Sequence, residues 1–126
     1  MRKSKPLIAV VDDEASVRVA LQRLIRAAGL DVKTFPSGTE VLEFMQTRQP
    51  DCIVLDLHMP GDNGFEVQAR LALAGMKVPV IVITGHDTPE SRARAMAGGV
   101  VDYLLKPVDD RVLLDAISAA IDAAPA

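Results

Sequence analysis

Asp12, Asp13, Asp56, Thr84 and Lys106 are the residues whose types and spacing could do chemistry together. Each lies at or just past the end of a short apolar run that reads as a buried β-strand. The first such end is Val10-Val11-Asp12-Asp13-Glu14. In an open parallel α/β sheet the carboxyl ends of strands converge on one edge, where ligands bind. Carboxylates crowded there repel one another unless a cation neutralises them. Lys106 and a hard, oxygen-seeking divalent ion are the cations that fit. A carboxylate ringed by metal, hydroxyl and ammonium is suited to carrying a phosphoryl group.

Alternating strands and helices must bring these residues together. Leu7 to Val11 is continuously apolar, as expected of a strand buried on both faces. From Glu14 to Ala28 the spacing turns helical: Val17, Leu21, Leu24, Ile25 and Ala28 share one stripe, and Gly29 stops the helix. Asp31 to Phe35 reads as an edge-like strand. Ser37 can cap a helix over Thr39 to Arg48, with Glu40 as its capping-box partner and Pro50 beyond. Cys52 to Leu55 is the third strand, closing on Asp56. After a loop at Met59-Pro60-Gly61-Asp62-Asn63-Gly64, a helix is predicted from Phe65 to Ala74. Val78 to Thr84 and Val101 to Leu105 are the last strands. Between them a helix spans Pro89 to Ala97 and stops at Gly98-Gly99. Asp109 or Asp110 caps a final helix to about Ala123, and Ala124-Pro125-Ala126 reads as a frayed tail or linker. Five strand–helix pairs imply one doubly wound parallel sheet. If Asp56 is to meet Asp12 and Asp13, the order is the flavodoxin-like 2-1-3-4-5.

The 126 residues suit one domain spanning 1–126, and 49% are apolar, enough for a real core. The net charge of -3 argues against broad nucleic-acid contact, which needs a basic footprint. Arg2, Lys3 and Lys5 read as a solvated tail. The single Cys52 sits in a strand run, so core packing and a reducing compartment are expected. No apolar run is long enough for a membrane span or secretory signal, which points to the cytoplasm.

The motifs Val10-Val11-Asp12-Asp13-Glu14, Asp56, Met59-Pro60-Gly61, Gly64, Ile83-Thr84-Gly85, Gly98-Gly99-Val100-Val101-Asp102-Tyr103 and Leu105-Lys106-Pro107 come in this order. Together they resemble the receiver domain of bacterial two-component response regulators along nearly the whole chain. Ile83-Thr84-Gly85-His86 further resembles the subgroup that often carries a LuxR-type helix-turn-helix output domain, as FixJ-type regulators do.

That resemblance implies roles. Asp56 takes a phosphoryl group from a phosphohistidine on a sensor histidine kinase or histidine phosphotransfer protein. Asp13, Asp56 and the backbone carbonyl of His58 coordinate Mg²⁺, with Mn²⁺ able to substitute, and Asp12 acts mainly through a bound water. Lys106 pairs with Asp56 and with phosphoryl oxygens, and the Lys106-Pro107 bond is cis. Thr84 and Tyr103 are the switch pair, read out by the fourth helix, fifth strand and fifth helix. Arg92, Arg94, Asp102 and Arg111 lie in those elements and could meet a downstream protein or a second copy in a homodimer. The output is a downstream protein or a C-terminal DNA-binding domain that these residues do not contain.

Each role has a plainer reading. Asp12, Asp13 or Glu14 could simply cap the following helix, Glu14 being the poorest ligand choice. Lys106 and the four charges could be ordinary solvated surface. Tyr103 could be a half-buried strand aromatic with its hydroxyl in water. His58 and His86 read as rim residues, with control of phosphate lifetime or transition-metal binding as sharper options. Three other functions compete. A haloacid-dehalogenase-type phosphatase wants Asp-x-Asp, which Asp12-Asp13-Glu14 lacks. A nucleotide or flavin module wants a phosphate-cradling turn, and the acidic first turn would repel phosphate. A phosphorylation-inactive docking module of the same fold is the third.

Overall fold

In the computed structural model, which describes residues 5–59 and 63–123, five parallel strands lie in the order β2-β1-β3-β4-β5. Strands and helices alternate as β1 (Leu7–Val11), α1 (Ala15–Ala27), β2 (Asp31–Phe35), α2 (Gly38–Phe44) and β3 (Cys52–Asp56). They continue with α3 (Gly64–Leu73), β4 (Val80–Thr84), α4 (Pro89–Ala97), β5 (Asp102–Leu105) and α5 (Asp110–Ala123). Met1 to Ser4, Pro60 to Asp62 and the tail from Ala124 lie outside the described residues. Most of the basic cluster, part of the Met59-Pro60-Gly61 motif and the frayed tail fall there.

The central strands are buried on both faces, which is why they are apolar up to the Asp56 and Thr84 that end β3 and β4. Alternate residues serve different cores. Ala9, Val11, Ile53, Leu55 and Val82 face α2, α3 and α4 through Val41, Val67, Leu71 and Ala95. Ile8, Val10, Val54, Ile81 and Ile83 face α1 and α5 through Ile25, Leu113 and Ile117. Cutting Leu55, fully buried, back to alanine would cost about 2–5 kcal/mol. Cys52 is sealed in the second core, and burial, then Asp51, pushes its thiol up to about 12. It packs rather than reacts. No helix among the described residues is long and apolar enough to cross a membrane.

Helix ends follow local chemistry. Ser37 caps α2, accepting from the Glu40 N–H at 3.2 Å, and its hydroxyl donates to the Glu40 carboxylate at 3.3 Å, so the two side chains meet directly where a capping box has the carboxylate meet the backbone N–H. Gly29, Gly75 and Gly99 adopt positive φ just past α1, α3 and α4. The α2 helix ends at Phe44, short of the expected Arg48. Gln46 and Thr47 bond three residues back, and the Thr47 hydroxyl also takes the Phe44 carbonyl, tightening the last turn. The β4 strand starts at Val80, not Val78, because Pro79 has no N–H for a ladder bond. The choice at the last helix falls on Asp109, whose carboxylate accepts from the Val112 N–H at 3.1 Å.

Candidate functional site

Register builds the site. The β1 and β3 strands pair Val11 with Leu55, so the next residues outward are Asp12 and Asp56. Thr84 of β4 pairs with Leu105 of β5, and the following Lys106 donates its N–H to the Thr84 carbonyl at 2.8 Å. The four strand ends named by the sequence therefore do meet at one edge.

Carboxylate oxygens of Asp12, Asp13 and Asp56 lie within 4.8 Å of one another. Asp12 and Asp56 are buried, and Asp13 is exposed. Lys106 Nζ sits among the acids, 2.8 Å from Asp12 Oδ2 and 3.4 Å from both Asp56 Oδ2 and Glu14 Oε1. That short contact makes the ammonium the charge partner of the buried Asp12 Oδ2. Burial pushes the Asp56 pKa up and Asp12 adds to it, outweighing the His58 N–H and Lys106, which pull it down. Burial works against the charged Lys106, but Asp12 and Asp56 outweigh it and raise its pKa. One ammonium thus offsets part of the acid charge. Three carboxylates clustered around a single ammonium fit a hard divalent cation such as Mg²⁺.

Asp12 forms an Asx-type turn just ahead of α1, not the cap the plainer reading expected. Its Oδ1 accepts from the Glu14 N–H at 2.9 Å, whereas Glu14 makes no side-chain cap. The turn uses Oδ1 and leaves Oδ2 for a cation. Glu14 stays outside the trio that could hold a metal. His58 donates its N–H to Asp56 Oδ1 at 3.2 Å. Asp13, Glu14, Asp56, Lys106, His58 and His86 line an open cleft of about 260 Å³.

Thr84 is fully buried. Its hydroxyl accepts from the His86 N–H at 3.0 Å and donates to the His86 carbonyl at 3.3 Å, so it is engaged with its own loop. Tyr103 is also buried, at 8% exposure, so the half-buried reading with a hydrated hydroxyl does not hold. That hydroxyl has no hydrogen-bond partner. Burial raises its pKa, and the nearby Asp87 carboxylate raises it further. The Arg92 guanidinium covers the ring at 4.7 Å and pairs with Asp87 at 3.3 Å. Arg94 stacks on Phe65 at 4.1 Å. Asp102 accepts from the Tyr103 N–H at 2.9 Å. Arg92 and Arg94 remain exposed surface charges that also stack on rings, and Asp102 is half-buried. The Lys106-Pro107 bond is cis.

Two supports have little sequence signal. Arg18 reaches from α1 to donate to the Asp12 carbonyl at 2.7 Å, a contact no spacing rule foretells. Gly64 opens α3 against the acidic strand end. A Cβ there would lie 2.8 Å from the Asp56 carbonyl oxygen and 2.9 Å from Leu57 Cα. Gly64 stood among the motif residues, but only the packing gives the reason.

A 2-1-3-4-5 sheet with an aspartate trio and a lysine at its carboxyl edge is the arrangement of a receiver. The chain belongs to the response regulator receiver domain family, whose model matches residues 8–118. It is 41% identical over 119 residues to Nodulation protein W of Bradyrhizobium diazoefficiens, covering 94% of this chain and 52% of that one. It is 38% identical over 114 residues to Transcriptional regulatory protein TdiR of Thauera aromatica, covering 90% of this chain and 50% of that one. The crystal structure of FixJ-N superposes with a TM-score of 0.90 at 33% identity, covering 98% of this chain and 99% of that one. The chain spans about half the length of the curated relatives it matches.

Proposed function

We propose that this chain is a phosphoacceptor: Asp56 receives a phosphoryl group from a histidine kinase or a histidine phosphotransfer protein and passes the signal on as a change of shape. The observation that carries this reading is Asp56 itself. It is a buried carboxylate at a strand end, with Lys106 Nζ 3.4 Å away and two other aspartates within reach of the same cation. Asp56 attacks phosphorus, an O–P bond forms as the P–N bond of the phosphohistidine breaks, and the electron pair goes to the imidazole nitrogen. Asp12, Asp13, Asp56 and the His58 carbonyl would hold Mg²⁺ or Mn²⁺, which when bound offsets the negative charge of the phosphoryl oxygens. Lys106 moves its ammonium from Asp12 toward those oxygens. The Thr84 hydroxyl leaves His86 to bond one of them.

A largely apolar groove of about 420 Å³ borders Lys106, lined by Val17, Ala20, Leu21, Pro107 and Val108, and gives a phosphodonor protein a place to rest. On the other side, Met96, Val101, Leu105 and Val112 are each about half exposed along α4, β5 and α5. That apolar strip suits a downstream partner or a second copy. We infer one receiver domain over 1–126, in the cytoplasm and without direct nucleic-acid contact. The chain acts on its own carboxylate rather than turning over a free substrate. Likeness to TdiR, a transcriptional regulator by name, and to FixJ-N supports a DNA-binding output in the whole protein and the LuxR/FixJ-type subgroup.

The test is the intact mass after incubation with acetyl phosphate. One phosphate adduct should form with Mg²⁺, none after chelation, and none on Asp56→Asn. Steady turnover of a chromogenic phosphate ester, without an adduct on Asp56, would favour a phosphatase instead. Neither adduct nor turnover would favour the inactive docking module.

A further inference from the structure

His58 and His86 stand across the mouth of the acidic cleft, one from the loop after β3 and one from the loop after β4. Their rings meet edge to face, with centroids 5.4 Å apart and planes at 78°. Both side chains are exposed and line the same cleft as Asp13 and Asp56. The proposed phosphoryl chemistry uses neither imidazole.

We propose that this pair, with a carboxylate oxygen of the cleft and water, forms a second metal site, selective for a borderline-soft divalent ion such as Zn²⁺. Two imidazoles that bind one tetrahedral ion through nitrogens at about 2.0–2.1 Å have ring centres roughly 5 Å apart. The observed 5.4 Å is close to that spacing. Ligand type separates the two sites. The aspartate trio offers hard oxygens, which suit Mg²⁺, whereas imidazole nitrogens suit Zn²⁺, Cu²⁺ and Ni²⁺. Among the described residues, only the aspartate trio already holds three ligand atoms within 4.8 Å of one another. The histidine rings must therefore turn to share an ion with a carboxylate, and their exposure leaves them room to do so. Each ring is also anchored through its backbone. The His58 N–H bonds Asp56, and the His86 N–H bonds Thr84, so both loops are set by the site beneath. An ion held here sits over Asp56 and narrows the approach of a phosphodonor. That consequence, unlike the binding itself, rests on the proposed role of Asp56.

The experiment is calorimetric titration of ZnCl₂ into the chain saturated with Mg²⁺, beside His58→Ala and His86→Ala. Wild type should bind one Zn²⁺ and each variant at least tenfold more weakly, while all three give the same far-ultraviolet circular dichroism. Zn²⁺ binding as tight in either variant as in wild type would overturn the site, because carboxylates alone would then account for it. No Zn²⁺ binding by wild type would overturn it equally. Acetyl phosphate labelling then tests the consequence. One equivalent of Zn²⁺ should slow adduct formation in wild type but not in the variants, and equal slowing in all three would reject the blocking role. Absence of any adduct without Zn²⁺ would count against the acceptor reading of Asp56 and leave the titration result standing.

Discussion

Lys106 is closer to Asp12 than to Asp56. Its Nζ lies 2.8 Å from Asp12 Oδ2 and 3.4 Å from Asp56 Oδ2. The ammonium partners the buried helper acid more tightly than the proposed acceptor. It sits inside the aspartate trio, and a divalent ion would have to displace it from there.

Removing the ammonium should therefore split two properties. Lys106→Met should bind Mg²⁺ tighter, by about tenfold, because a cation no longer competes for the aspartates. The same variant should accept phosphate from acetyl phosphate more slowly, since nothing then meets the incoming oxygens. Magnesium titration by Tyr103 fluorescence and adduct rate by mass read the two effects. Weaker Mg²⁺ binding in Lys106→Met would mean that the lysine organises the acids rather than competing for them.

The raised pKa of Asp56 has a stability consequence in metal-free protein. An acid whose folded pKa is raised favours the folded state while protonated. That contribution is complete below the unfolded pKa of about 3.9 and is lost as pH rises through the folded value. Asp56→Asn keeps the shape without the charge. It should melt above wild type at pH 7, by on the order of a few °C. The gap should close toward pH 4 and below. Thermal melts in EDTA across that range check it, and a lower melting point for Asp56→Asn at pH 7 would reverse the sign.

Gly64→Ala should harm the site without touching a charged group. The new Cβ meets Asp56 and Leu57 backbone, which cannot swing aside as a side chain can. A cost of about 1–3 kcal/mol is expected in urea unfolding, together with slower phosphate acceptance. Wild-type stability and rate would show that the strand end yields freely.

Much of this was legible in the chain. Apolar runs closed by Asp56, Thr84 and Lys106 marked β3, β4 and β5 to within two residues, and for β3 and β4 the reason is burial on both faces, which admits little but apolar residues. The acidic trio could be grouped because strand order alone brings it together. Tyr103 was harder. A single aromatic at the end of β5 says nothing about which side chain covers it. Tyr103 joins the core under α4, and Arg92, 11 residues away in sequence (103 minus 92), stacks on its ring. Arg18 over Asp12 is likewise a contact of tertiary geometry, without a period to announce it.

Arg92 gives a further expectation. The only buried residue of α4 is Ala95, and its two arginines, stacked on Tyr103 and Phe65, provide much of its hold. Arg92→Ala should uncover the only tyrosine, change its emission and its quenching by iodide, and cost about 0.5–1 kcal/mol. Unchanged quenching would mean that the rest of the pocket buries Tyr103 unaided.

The most direct measurement is chemical mapping of the acceptor. After reaction with acetyl phosphate and Mg²⁺, borohydride reduces an aspartyl phosphate to homoserine, which peptide mass spectrometry can place on the chain. Homoserine at position 56, dependent on Mg²⁺, is the expected result. Homoserine at position 12 or 13 instead, or none anywhere while wild type still gains phosphate, would show that Asp56 is not the residue that carries it.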